Sequence, residues 1–232
     1  MAVKLFILGL PGSGKSAIAR FLSSHIRNKR IPRTKKRWST KRFSDYSILD
    51  AMAKDVNERE YFQAAETGGF DVIDHIALDI ALKRLESTVT DYISSKKMIK
   101  TQVIIIEFAR NDYQRAFSQF NKSFLQDASV IYLGADVKVC KQRISDRACE
   151  QEYPEDDYPV SDYIFENYYH SDDGQYLPHF LEQDFGIERQ RVLLIDNNNS
   201  LQEAAESIMP FIVAILDFVA IHEDSVLLIE PL

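Results

Sequence analysis

Cysteine is scarce in this chain: Cys140 and Cys149 are the only two among 232 residues. Two thiols cannot build a disulfide scaffold or a four-ligand zinc site. Nothing around them forms a nucleophile or metal set, so reduced structural thiols are expected. Glycine and proline are few as well, at 8 and 7, which excludes collagen-like and low-complexity chains. No uninterrupted apolar run reaches the roughly 18 residues of a membrane span. The longest such stretch, Ile208 to Ile221, contains Pro210 and Asp217. The apolar run at Val3 to Leu8 is too short for a signal peptide and lacks a small-residue cleavage site. No membrane segment and a cytoplasmic location are therefore expected. Buried surface is not lacking: 14 Phe and 11 Tyr join many aliphatics, enough for one ordered domain over residues 1–232.

Acidic residues are absent from one part of the chain. Residues 1–44 hold 12 Lys and Arg and no Asp or Glu, leaving 16 basic against all 35 acidic side chains elsewhere. The net charge of -7 is thus a +12 start and a -19 remainder. Nine basic residues fall between Arg27 and Arg42, whereas residues 148–188 carry twelve acids and no Lys or Arg.

Strand and helix signals alternate. Val3 to Leu8 reads as a buried strand ended by Gly9, and Ile18, Phe21, Leu22 and Ile26 give helical spacing from Lys15 to about Arg27. Arg42-Phe-Ser-Asp45 reads as a strand end entering a helix. After the Gly68-Gly69 turn, Val72, Ile76, Ile80, Leu82 and Leu85 predict a helix toward Ile93. Val103-Ile-Ile-Ile-Glu107 is β-branched and apolar on both faces, the mark of a central parallel strand. Val130 to Gly134 and Arg191 to Asp196 repeat that pattern. Helices are expected at Asp136 to Arg147 and from Leu201 onward. The result is an α/β fold with a mainly parallel sheet. The acidic, Tyr-rich residues 148–176 interrupt the alternation and read as an inserted loop or small helical lid.

Between the first strand and helix lies Gly9-Leu-Pro-Gly-Ser-Gly-Lys15-Ser16, which satisfies the Walker A pattern G-x-x-x-x-G-K-[ST] at every position. Such glycines let successive N–H groups converge on one anion, and the helix N-terminus adds partial positive charge. Pro11, Gly12, Ser13, Gly14, Lys15, Ser16 and Ala17 are the nucleotide-binding candidates. Lys15 is placed to bridge β- and γ-phosphates, and the Ser16 hydroxyl to ligate Mg²⁺. A GTPase reading fails, since Asn28-Lys29 and Asn121-Lys122 lack the following Asp and no glycine has an Asp three residues before it. An ABC-type signature is also missing.

This loop resembles that of the nucleoside monophosphate kinase-like, adenylate kinase-related family of P-loop small-molecule kinases. So does the helix Asp136-Val-Lys-Val-Cys-Lys-Gln-Arg143-Ile-Ser-Asp-Arg147, with its two arginines before an insertion. Val192-Leu-Leu-Ile-Asp196-Asn197 looks like the last core strand of that family. The resemblance covers roughly residues 1–27 and 100–200 and is weak over 28–99, where such enzymes bind the phosphate acceptor. It implies a P-loop NTPase three-layer α/β/α sandwich with an inserted lid, and ATP and Mg²⁺ as cosubstrate and metal.

The same resemblance implies that Arg143 and Arg147, one helical turn apart, meet the transferring phosphoryl group; the ordinary alternative is a solvated helix end. It implies that Asp45 takes the acceptor hydroxyl's proton or contacts metal, the alternative being a helix N-cap. Glu107, closing an apolar strand, either binds Mg²⁺ through water or orients the acceptor, the alternative being that it simply caps the strand. Arg110 is placed to hold an acceptor anion. Asp71, Asp74 and His75 are weaker acceptor-site candidates.

The basic segment 27–42 allows four readings: an electropositive acceptor pocket, a partner for the acidic lid, a nucleic-acid surface with Trp38 stacking on bases, or simply a flexible solvated loop. The -19 remainder argues against extended duplex binding. The apolar segment Pro210 to Ile221 is either a core helix or a homodimer interface, with Val226 to Ile229 as an edge strand. The reading that follows is an ATP- and Mg²⁺-dependent kinase acting on an unidentified small-molecule or nucleotide acceptor. A nucleotide-binding regulator without an acceptor and a 5′-end polynucleotide kinase are the alternatives.

Overall fold

The computed structural model describes residues 2–30, 37–65, 68–95, 101–150 and 160–227, with side chains for all of these except 28, 148–150 and 222–227. Its frame is a five-stranded sheet in the order β2-β5-β1-β6-β7. The strands are β1 (Ala2–Leu8), β2 (Ser39–Ser44), β5 (Gln102–Phe108), β6 (Ser129–Gly134) and β7 (Val192–Asp196). Every pairing in it is parallel. All seven residues of β5 are buried, as its unbroken β-branched run requires of a strand covered on both faces.

Side chains alternate across the sheet. On one face Val3, Leu5, Ile7, Val103 and Ile105 meet α1 (Lys15–Asn28) and α9 (Leu201–Leu227). On the other, Phe6, Leu8, Ile104 and Ile106 are covered by α3 (Ile76–Ser94), α4 (Tyr113–Phe117), α5 (Lys122–Leu125) and α8 (Leu177–Phe185). Aromatic rings dominate this second core, with Phe6 5.5 Å from Phe117 and 5.6 Å from Phe120. A third cluster joins α2 (Asp45–Lys54), α6 (Val137–Glu150) and α7 (Asp162–Asn167) around Leu10, Met52 and Phe165. The three-layer α/β/α sandwich expected from the sequence is the observed architecture.

The chain leaves β1 for β2 on one side and later crosses from β5 to β6 on the other. The crevice at the carboxyl end of β1 is therefore the switch point of the sheet, where open α/β sheets bind ligands.

Three local expectations need correction. Val72 is not in the helix; it ends β4 (Phe70–Val72), which pairs antiparallel with β3 (Phe62–Ala64) across Gly68-Gly69. Trp38 is 3% exposed and belongs to the α1/α9 core, so it offers no face to a base. Residues 226 and 227 continue α9 instead of forming an edge strand; residues 228 and 229 lie outside the described residues. Leu201–Ile221 is, by length and a mean hydropathy of 2.0, apolar enough to cross a membrane. Its Ala204, Ile208, Ile212, Leu216 and Val219 nevertheless fill the core beside the sheet, at the spacing of one helical face. Of the expected lid, residues 151–159 lie outside the described residues, and α7 supplies a helical part.

Candidate active site

The loop after β1 turns through Gly9, Gly12 and Gly14, all at positive φ. All three are demanded by neighbours as well as by backbone angle, a Cβ on Gly9 lying 2.5 Å from the Leu133 carbonyl oxygen. A Cβ on Gly12 (φ +79°) would lie 2.4 Å from the carbonyl oxygen of Cys140 in α6. One on Gly14 (φ +99°) would lie 2.7 Å from Nδ2 of Asn197. Gly14 is the N-cap of α1, whose first turn contains no acid, so the helix's partial positive charge faces the loop unopposed.

Tyr113, Asn197 and Lys15 pin this loop. The Gly9 N–H donates to the buried Tyr113 hydroxyl at 2.8 Å. Asn197 Nδ2 donates to the Ser13 carbonyl at 2.7 Å, and the Asn197 N–H donates to the Gly134 carbonyl at 2.7 Å. Lys15 Nζ donates to the Gly9 and Leu10 carbonyls at 2.8 and 2.9 Å. Burial pushes the Lys15 ammonium down to about 8, against the opposing pull of Glu107 and Asp45. An ammonium so desolvated gains more from an arriving phosphate than an exposed one would.

A cavity of about 320 Å³ opens beside the loop. Lys15, Ser16, Asp45, Glu107, Arg143 and Arg147 all line it. Residues more than 130 positions apart thus converge because β1, β2 and β5 end together: Ser44 and Ile7 both stand opposite Glu107. Glu107 is 3% exposed and accepts from Arg42 Nε at 2.9 Å. Asp45 opens α2 but does not cap it. Ser44 is the N-cap, its hydroxyl accepting from the Tyr46 N–H at 3.2 Å, and the Asp45 side chain is left for other work.

That work is a buried ion pair. Arg110 Nη1 donates to Asp45 Oδ2 at 2.5 Å, and the two side chains are 3% and 8% exposed. Arg110 Nη2 donates to the Leu78 carbonyl at 2.8 Å. Arg110 is therefore turned into the protein behind Asp45 and does not line the cavity. Arg143 donates to the Asn199 carbonyl at 3.2 Å through Nη2. It is carried by the same helix whose Cys140 backbone touches Gly12. The Cys140 thiol is itself buried, which raises it to about 11, as suits a structural thiol.

The weaker candidates lie elsewhere. Asp71 accepts from the hydroxyl of Ser161, the N-cap of α7, and so ties β4 to the lid helix. Asp74 accepts from the Ile76 N–H at 3.0 Å at the start of α3. His75 packs its ring 4.5 Å from Tyr168 and is lowered by burial. None of the three lines the cavity. Arg20, Tyr46, Tyr169 and Asn197 do line it and were not singled out by sequence. Two of them carried a usable signal. Arg20 is one turn past Ser16 on α1, and Asn197 directly follows a core strand.

Magnesium is a hard ion that keeps several waters and takes one or two carboxylates plus substrate phosphates. Ser16, Glu107 and Asp45 present oxygen donors to one cavity, and this set fits such an ion. Among the described residues no group of three or more His, Cys, Asp or Glu is arranged to hold a metal by itself.

No curated protein matches the chain. Among solved structures, Kti12 of Chaetomium thermophilum, in complex with ADP-AlF3, is similar with a TM-score of 0.51 at 14% identity, over 89% of this chain and 97% of that one. A gluconokinase of Sinorhizobium meliloti 1021 is similar with a TM-score of 0.51 at 10% identity, over 95% and 97%. At such identities the likeness is one of fold. A family model described as AAA domain matches residues 5–158, from β1 through the phosphate loop and the arginine helix. The chain belongs to the AAA domain family, and its fold is like that of the gluconokinase.

Proposed function

We propose that the protein is an ATP- and Mg²⁺-dependent phosphotransferase acting on a small hydroxyl-bearing acceptor. The observation that carries this reading is the convergence of Lys15, Ser16, Asp45, Glu107, Arg143 and Arg147 on one cavity beside the phosphate loop. Phosphoryl transfer asks for positioning and charge stabilisation more than for covalent chemistry. The backbone of residues 12–16 holds the phosphates. Lys15 exchanges its two loop carbonyls for phosphate oxygens. Arg143 and Arg147 stabilise charge on the transferring group from the lid side. Ser16 and Glu107 would hold Mg²⁺, which when bound neutralises phosphate charge. Asp45, held by Arg110 at the cavity wall, orients the acceptor hydroxyl and accepts its proton.

The test is a broad acceptor screen with ATP and Mg²⁺, comparing wild type with Lys15→Ala. Phosphorylation of a metabolite by wild type and its loss in the folded variant is expected. Turnover undiminished in Lys15→Ala would sink the mechanism. A second reading, a nucleotide-binding regulator without an acceptor, is favoured by one observation: both cavity carboxylates already have arginine partners, Arg42 and Arg110. It predicts nucleotide binding with no acceptor turnover in that screen.

A further inference from the structure

The cavity beside the phosphate loop has two unlike sides. Its cations, Lys15, Arg20, Arg143 and Arg147, stand on α1, which follows the loop, and on α6, whose Cys140 meets Gly12. The other side is built from the start of α2, the end of β5 and the residues around α7. Among the described residues that side adds no cation to the lining. Its two carboxylates, Asp45 and Glu107, accept from Arg110 and Arg42, and neither arginine lines the cavity.

The rest of this wall is apolar. Leu49, Phe108 and Val160 line it, together with Tyr46 and Tyr169. Tyr169 is 8% exposed and its hydroxyl donates to the Ala109 carbonyl at 3.2 Å, so its polar atom is engaged and its ring is what a ligand meets. Tyr46 stacks on Phe70 of the β3–β4 hairpin, with centroids 5.5 Å apart and planes at 22°. Phe70 in turn meets Phe62 edge-on at 5.2 Å, so the hairpin braces that ring.

Building on the phosphotransferase reading, we infer that the acceptor is an uncharged alcohol with a flat ring, the chemistry shared by free nucleosides and aryl alcohols, and that Tyr46 and Tyr169 select it. A phosphate or carboxylate on the acceptor would lose its hydration against apolar side chains and face two carboxylates, with no cation of the wall to replace the water. A flat ring packs on aromatic faces, and its hydroxyl finds a wall oxygen to donate to. The cations across the cavity meet the phosphates of the nucleotide.

The experiment is calorimetry on the full chain saturated with ADP, titrated with the common ribonucleosides and with benzyl alcohol, each compared with its own phosphate monoester. At least one uncharged member should bind with a Kd below about 1 mM, and its monoester about tenfold more weakly or worse. Tyr46→Leu removes one stacking face and should weaken that member about tenfold, with ADP affinity unchanged. Tyr46→Arg adds a cation to the wall and should narrow or reverse the preference over the monoester. No uncharged member bound at about 1 mM, a monoester bound as tightly as its parent alcohol, or a preference untouched by both variants would each overturn the inference. Binding of the preferred alcohol without transfer from ATP and Mg²⁺ would leave the preference of the wall standing and sink the phosphotransferase reading. Phosphorylation of anionic acceptors alone would do the reverse.

Discussion

Replacing Arg110 with Met isolates what its pairing with Asp45 does. The two side chains are 3% and 8% exposed, so the variant leaves the Asp45 carboxylate in a low-dielectric setting without its counter-ion. Breaking a buried pair from one side costs about 3–5 kcal/mol, because the surviving charge stays desolvated. The lost bond to the Leu78 carbonyl adds about 1 kcal/mol. With a urea slope of about 2 kcal/mol/M, the unfolding midpoint should fall by about 2–3 M. Asp45→Asn should cost less, since Arg110 keeps the Leu78 and Ala109 carbonyls as acceptors. The double variant should recover part of the Arg110→Met loss and give a coupling energy of about 2 kcal/mol or more. Urea denaturation of all four proteins reads these values, and acceptor KM against kcat reads the functional side. If Arg110 acts by positioning Asp45, kcat falls in both single variants. A stability loss below 1 kcal/mol in Arg110→Met, with only acceptor KM raised, would refute the buried-pair reasoning and return Arg110 to the acceptor.

Three further outcomes are expected. Gly12→Ala places a Cβ 2.4 Å from the Cys140 carbonyl at a φ of +79°; calorimetry should show ADP affinity down at least tenfold, with a lowered Tm. Lys15, lowered by burial to about 8 with Glu107, Asp45, Cys140 and Arg147 around it, must be charged to meet phosphate. ADP affinity should therefore be level below pH 8 and fall toward tenfold per unit above it, and this dependence should vanish in Lys15→Met. The lowered pKa also means the unfolded chain binds more protons between about pH 8 and 10.5, so relief of this cost raises stability with pH in that window. Ser161→Ala removes both the N-cap of α7 and the donor to buried Asp71; about 1–2 kcal/mol of stability should be lost, measurable by thermal unfolding.

Much of the frame can be read without coordinates, for identifiable reasons. β5 announces itself because a strand covered on both faces needs an unbroken β-branched run, and Val103 to Ile106 supplies it. The phosphate loop is legible because its glycines answer steric demands that few other residues meet. The residues at strand ends follow from topology: in a parallel sheet the carboxyl ends share one edge, so Asp45 and Glu107 meet there despite their separation. Direction is what the sequence conceals. Arg110 lies two residues past the end of β5, and nothing in that spacing says whether its guanidinium turns to the cavity or behind Asp45. Trp38 sits among basic residues that suggest exposure, yet only the pairing of β2 with β5 decides its burial. The β3–β4 hairpin escapes because three-residue strands are too short to show alternation.

The contact between Gly12 and Cys140 joins backbone to backbone, which gives it an unusual genetic property. A Cβ at 12 would meet the Cys140 carbonyl at 2.4 Å whatever side chain stands at 140. The spacing between the phosphate loop and the arginine helix is therefore written in a missing methyl group. Other residues lining the cavity can change one at a time, whereas any side chain at 12 must first displace α6.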